Sequence, residues 1–364
     1  MTASRARGAA GNAALALVSL GLCLAALEIG YRVLDPFPYV DPREINQTEY
    51  GNLSRHDPVL GWSGVPGGAG EIVTWSSRVR VELNGLGHRD VEHAPGDARP
   101  ALVFLGDSFA WGFEVATEAM LVSRLRSELP DRAIFNLSHR GWGTDQSLLA
   151  FEAWRREGPV ERVVLLFSEN DVADNASGLR HGKLKPHFAV EGNELALKGV
   201  PVPRMQAWDD PPPRRSPPPW PIPRGLARSH LVYDVLFRLS GDPRPAEHPA
   251  ERGDDAALEL TERLLARLAR SARSRGGELL VAFVPSKREI EGEPGYAPYQ
   301  ARVAARCRGL GIDHVDLADA LRGSWRRTYH RLDMHWNRVG HAVAAASLRD
   351  ELVRRRRAAP GDEP

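Results

Sequence analysis

The chain has 364 residues, 42% of them hydrophobic, and a formal net charge of +1. That length allows one large domain with additions or two domains, and the apolar share is enough to bury a sizeable core. The near-zero charge argues against a nucleic-acid partner, which calls for a basic surplus on one face. The two cysteines, Cys23 and Cys307, lie far apart, so no disulfide framework is implied, and no CxxC, HExxH or paired Cys/His zinc pattern occurs.

Arg5 and Arg7 precede an apolar run from Ala13 to Leu27 that only Ser19 and Gly21 interrupt. A spanning helix needs roughly 17–25 mostly apolar residues, and this run sits at the short end. Basic residues ahead of such a run favour an N-terminus kept in the cytoplasm and a chain exported behind it. A signal anchor over 1–35 is the leading reading. A cleaved signal peptide also fits, with Cys23 and Ala25 as the small residues ahead of a cut, and a buried soluble helix is the third reading. The first reading puts residues 36–364 outside a cytoplasmic membrane, in the periplasm or at the cell surface; the second makes the protein secreted.

Residues 36–98 are rich in Pro, Gly and polar residues, with short alternating pieces such as Val79-Arg80-Val81-Glu82-Leu83 and a turn signal at Asn84-Gly85. This stretch reads as a strand-rich lead-in with no core of its own. From residue 99 the pattern alternates. Strands are predicted at 102–105, 133–137, 163–167, 279–284 and 312–317, with helices at 117–129, 144–157, 254–275, 297–309 and 338–353. Strand alternating with helix predicts a three-layer α/β/α sandwich around about five parallel strands, with helices on both faces. The domain is bounded at 99–353, followed by a basic and polar tail over 354–364. Between 176 and 252 the alternation stops, and Pro211-Pro212-Pro213 and Pro217-Pro218-Pro219 mark loop or extended coil. That insertion is a surface loop or a lid over the site, with one possible helix at 225–239.

Gly106-Asp107-Ser108-Phe109 follows the first buried strand and opens a predicted helix. A serine on a tight turn at the carboxyl end of a parallel strand stands where ligands collect in open α/β sheets. Gly106 permits the sharp turn, and the amides of the following helix suit a developing oxyanion. Alone, Gly-Asp-Ser is a weak signal, because such a serine serves equally as a turn or helix cap. A serine nucleophile needs a base, and the base needs an orienting carboxylate. Asp333 and His335 provide both, two residues apart on a predicted loop before the last helix. Two other readings of that loop are a solvated histidine and a metal cluster of His330, Asp333, His335 and His341.

Taken together these segments resemble the SGNH/GDSL hydrolase superfamily. Gly106-Asp107-Ser108-Phe109 looks like its first block, and Asn136-Leu137-Ser138-His139-Arg140-Gly141-Trp142-Gly143-Thr144-Asp145-Gln146 like its second. Ser168-Glu169-Asn170-Asp171 resembles the third and Asp333-Met334-His335 the fifth, all in the family's order over about 100–350. The resemblance implies an SGNH, flavodoxin-like sandwich with Ser108 as nucleophile, His335 as general base and acid, and Asp333 orienting it. It implies an oxyanion hole formed by the Ser108 amide, the Gly141 amide and the Asn170 side chain, with no metal and no organic cofactor. Asp107 reads as structural, and Asp171, Asp174 and Asn175 as braces of the loop. Ser168 stands where the family usually has Gly. The short Asp-x-His spacing followed by Trp is similar to the exopolysaccharide O-acetylation proteins of the same superfamily. The expected activity is therefore cleavage of a carboxylic ester outside the membrane, on an ester or acylated-glycan substrate. O-acyl transfer to an envelope or exported glycan is the alternative, and a non-catalytic glycan-binding protein a second one. The acyl group, the alcohol and the oligomeric state are open at this level.

Overall fold

The computed structural model describes residues 2–34, 53–74, 76–192, 194–205, 229–232, 235, 255–292, 297–331 and 333–357. The apolar N-terminal run lies inside one long helix, α1 (Thr2–Leu34). Its stretch Gly11–Val33, 23 residues, is long and apolar enough to cross a membrane, and its side chains are exposed up to Leu27, with Glu28 and Tyr31 partly covered.

The lead-in forms two antiparallel hairpins, β1 (Ser54–Asp57) with β2 (Gly61–Gly64), and β3 (Ala69–Val73) with β4 (Arg78–Glu82). The alternation in Val79-Arg80-Val81 puts Val79 and Val81 on one face. There they join Leu53, Ile72 and Leu83 in a small buried cluster that Trp111 of the main domain completes. The stretch thus buries its apolar residues in a cluster shared with the domain it precedes. Asn84 makes its turn by accepting the amides of Leu86 and His88 on its side-chain oxygen.

The main domain runs β5 (Ala101–Leu105), α2 (Ser108–Trp111), a 3-10 turn (Thr117–Ala119), α3 (Leu121–Glu128), β6 (Ala133–Asn136), α4 (Thr144–Ala153) and β7 (Val160–Phe167). After α5 (Asp171–Asn175) come two further hairpins, β8 (Leu179–Arg180) with β9 (Lys183–Leu184) and β10 (His187–Glu191) with β11 (Glu194–Lys198). The chain then continues with α6 (Asp255–Arg273), β12 (Glu278–Phe283), α7 (Lys287–Ile290), α8 (Ala297–Gly309), β13 (Asp313–Asp316), α9 (Ala318–Arg322) and α10 (Arg338–Arg357).

Five strands pair in the order β13-β12-β7-β5-β6, all parallel. Successive side chains on a strand point to opposite faces, so a continuous apolar run feeds two cores. Val103, Leu105, Val163 and Leu165 bury against Leu148, Leu264, Leu268 and Cys307 from α4, α6 and α8. Leu102, Phe104, Val164 and Leu166 bury against Leu121, Leu125, Ala344 and Leu348 from α3 and α10. The three-layer expectation holds. Counting only these five strands in chain order, the sheet runs 2-1-3-4-5, which reverses direction between β5 and β7. In such sheets ligands bind at that switch, outside the carboxyl ends of the strands.

Three local expectations differ. The helix after Ser108 is a single turn, because Gly112 takes a left-handed φ of 81° and ends it. The helix predicted over 117–129 divides at Met120, whose extended backbone separates the 3-10 turn from α3. The start of the insertion, predicted as loop or coil, folds into the β8–β9 and β10–β11 hairpins. Of the helix expected at 225–239, residues 230–232 and 235 are helical and Ser229 is not; the rest of it, and both proline triplets, lie outside the described residues.

Candidate active site

Gly106 ends β5 at φ 133°, and a Cβ there would sit 2.8 Å from the Leu166 carbonyl oxygen, so backbone conformation and space both require glycine. The turn delivers Asp107 as the cap of α2: its side chain accepts the Phe109 amide at 2.9 Å. Ser108 follows at the start of α2, half-buried, and its hydroxyl donates to His335 Nε2 at 2.7 Å.

The loop that carries His335 is pinned at many points. Tyr329 and Trp336 pair across it as an isolated antiparallel bridge. The His330 amide donates to the His335 carbonyl at 2.9 Å. The Asn337 amide group donates to the carbonyls of Arg327 and Tyr329, while its oxygen accepts the amides of Val339 and Gly340 and so caps α10. The Lys287 ammonium, at the start of α7, donates to the carbonyls of His330, Arg331 and Asp333 at 2.8, 2.7 and 3.2 Å. His335 Nδ1 donates to Asp333 Oδ1 at 2.5 Å, and the same oxygen accepts the His335 amide at 2.9 Å. Phe109 and Phe113 flank the imidazole, with ring centroids 5.2 and 4.7 Å away.

Ser108, His335 and Asp333 are therefore in one continuous hydrogen-bonded chain. Burial disfavours the imidazolium, but the charge of Asp333 and its hydrogen bond outweigh this and raise His335 above the usual histidine range. Burial alone would raise Asp333, yet the charge and hydrogen bonds of His335 hold it well below the carboxylate range. His341 lies apart, with Nδ1 accepting the Leu121 amide at 3.2 Å and its pKa pushed down to about 3 by burial. His330 is pushed down to about 4, also by burial. Among the described residues, the side chains close enough together to invite a cation are Glu114, Asp333 and His335. Both ring nitrogens of His335 are already committed, to Ser108 and to Asp333, which leaves that set no free imidazole lone pair.

The loop after β7 is held by carboxylates. Asp171 accepts the Ser168 amide at 2.7 Å and the Thr144 hydroxyl at 2.8 Å. Asn175 accepts the Asp145 amide and donates to the Thr261 hydroxyl. Lys185, fully buried, pairs with Asp145 and donates to the Asp174 carbonyl at 2.9 Å. Asp171 and Asn175 thus brace the loop as expected. The Asn170 side-chain amide donates to Asp174 Oδ2 at 2.6 Å. One of its two hydrogens is thereby engaged within the loop, and one remains for a ligand. Gly141 has a left-handed φ of 71°, and its loop is tied back to the Gly106–Ser108 turn by the His139 amide, which donates to the Gly106 carbonyl at 3.3 Å. Trp62 of the lead-in donates to the Arg140 carbonyl at 3.0 Å, and Trp142 returns a bond to the Trp62 carbonyl at 3.1 Å.

Sequence reasoning misses Glu114, Lys287 and Asn337. Asn337 carries a signal, as an Asn directly before an apolar helix. The others act across long sequence separations and have none.

Residues 244–363 match the model of a family described as "SGNH hydrolase-like domain, acetyltransferase AlgX". That segment is similar to an SGNH hydrolase-like domain. The segment contains Asp333 and His335, and the resemblance read from the sequence blocks agrees with it. No curated protein matches the chain. Solved structures similar to it include a lipolytic G-D-S-L family protein from Veillonella parvula DSM 2008, at 11% identity and a TM-score of 0.40 over 69% of this chain and 96% of that one. TesA is similar at 14% identity and a TM-score of 0.40 over 70% and 98%. An acetyl xylan esterase, AlAXEase, is similar at 10% identity and a TM-score of 0.36 over 69% and 98%.

Proposed function

We propose that this protein is a serine-dependent acyl-ester enzyme held at a membrane by α1, with its catalytic domain outside the cytoplasm. The observation that carries the reading is the bonded chain from Ser108 through His335 to Asp333. In the reaction, Ser108 Oγ attacks the acyl carbonyl while its proton passes to His335 Nε2. Asp333 holds the ring through Nδ1 and stabilises the imidazolium that forms. His335 then gives the proton to the departing alcohol, leaving the acyl group on Ser108. A second nucleophile, deprotonated by the same ring, removes it. The Ser108 and Gly141 amides and the second hydrogen of Asn170 serve the oxyanion of both tetrahedral intermediates.

With water as second nucleophile the enzyme is an esterase. With a sugar hydroxyl it is an O-acyltransferase, and the match of 244–363 to an acetyltransferase domain favours this second reading. The test uses p-nitrophenyl acetate as acyl donor, with and without an oligosaccharide acceptor, and follows nitrophenol release, acetate and acetylated sugar. Release with acetate alone supports the esterase, and acetylated sugar at the expense of acetate supports transfer. No release by folded protein, in either condition, overturns both.

A further inference from the structure

Glu114 is 2% exposed and sits three residues beyond α2, on the far side of Phe113. It has a φ of 66°, one of two non-glycine residues with a left-handed backbone among those described. Such a conformation is unfavourable for a residue with a Cβ and persists only where its surroundings impose it. The imposing group is Arg89, itself 1% exposed. Its guanidinium donates to the Gly112 carbonyl and, at 2.6 Å, to the Val115 carbonyl, so it clamps the chain on both sides of Glu114. Trp111 covers the same guanidinium at 4.7 Å.

The clamp aims the Glu114 carboxyl at the triad. Its oxygen, an Asp333 oxygen and an His335 nitrogen all lie within 4.8 Å of one another. Among the described residues its one ion-pair contact is with His330, whose ring is pushed down to about 4 by burial. His330 Nε2 is 3.9 Å from Glu114 Oε2, beyond hydrogen-bond reach. The Lys287 ammonium donates to three backbone carbonyls, and its charge draws Glu114 down less than burial and Asp333 push it up. Within hydrogen-bond geometry neither Glu114 oxygen has a donor, although the Thr74 hydroxyl and Asp333 stand close. Two ionised carboxylates only accept, so they cannot bond to each other; one proton between them satisfies both. Both bonds from His335 fall on Asp333 Oδ1, which leaves the second oxygen to be fixed from elsewhere.

We propose that Glu114 is a positioning residue: its buried carboxyl group donates a hydrogen bond to the Asp333 carboxylate and fixes the orientation from which Asp333 steers His335. This rests on the reading of Ser108, His335 and Asp333 as a triad. Burial and the charge of Asp333 push Glu114 well above the carboxylate range, while His335 holds Asp333 below it, so the shared proton resides on Glu114.

The test compares the full chain in detergent with its Glu114→Gln and Glu114→Leu variants. One arm measures kcat and KM on p-nitrophenyl acetate; the other titrates the His335 ring by NMR. Gln keeps a donor and adds no charge, so E114Q retains kcat to within a few-fold and leaves the His335 midpoint unmoved. E114L loses the donor, and its kcat falls ~10-fold or more with KM little changed. Wild-type kcat in a folded E114L protein overturns the proposal. So does an E114Q midpoint lowered by about one pH unit or more, which would mean that Glu114 is a charge. The titration needs no turnover and stands on E114Q alone if E114L fails to fold. If the wild type neither turns over the ester nor takes a fluorophosphonate on Ser108, the triad reading fails; an unmoved midpoint in E114Q then still reports the neutral Glu114.

Discussion

In the proposed reaction Ser108 is an ordinary alcohol until a base stands 2.7 Å away, and His335 serves as that base only while Asp333 holds its other nitrogen. The members act as a unit, so removing one forfeits what the others do. Ser108→Ala and His335→Ala are each expected to lower kcat by roughly 10⁴-fold or more, and the double variant to be little worse. A mild His335→Ala beside a crippling His330→Ala or His341→Ala would contradict the assignment. Because Asp333 raises His335, the neutral base is present only at higher pH than an ordinary histidine would need. The rate should therefore climb with pH through a midpoint above about 6.5 and fall below it. A pH–rate profile on p-nitrophenyl acetate checks this, and a midpoint under that value contradicts it. Asn170→Ala should lower kcat by ~10²–10³ with KM little changed, the cost of one lost oxyanion donor. Turnover close to wild type would remove Asn170 from the site. Ser108, Asp333 and His335 are legible in the sequence because each sits in a short block whose neighbours make its turn or cap. Glu114 is not, since its role comes from Arg89, 25 positions earlier, and from Asp333 on the far side of the fold.

Elements of the central sheet are legible for a plain reason: strands buried on both faces are continuous apolar runs, and helices on both faces have an apolar stripe. The β8–β9 and β10–β11 hairpins escape that reading. Their strands are two and five residues long, and prolines further along the same stretch dominate its composition. Their use becomes visible through Lys185, which follows β9, is fully buried, and pairs with Asp145 of α4. Burial raises Asp145 to about 6 despite the lysine, so the pair depends on both partners. Lys185→Met leaves a buried acid unpaired and is expected to cost about 3–5 kcal/mol in denaturant unfolding. Adding Asp145→Leu should restore part of that loss, because the uncompensated charge goes with it. A single variant within about 0.5 kcal/mol of wild type would show that the pair holds nothing together.

At the scale of the molecule, α1 reaches the site's own loop: the Arg331 guanidinium lies 4.5 Å from the Tyr31 ring centroid, next to His330 and two residues before Asp333. If α1 spans the bilayer with its basic end inside, the nucleophile faces acyl groups presented near the outer surface of the membrane. A C-terminal phosphatase fusion is then expected to be active and a C-terminal β-galactosidase fusion inactive; the reverse pattern contradicts that topology. The most direct measurement of the central claim is covalent labelling. A fluorophosphonate reacts with a serine only where a base takes its proton and an oxyanion hole receives the charge. Incubated with the folded full chain and followed by peptide mapping, it is expected to modify Ser108 and to leave His335→Ala protein unlabelled. Modification of another serine, or none in folded wild-type protein, would contradict the account.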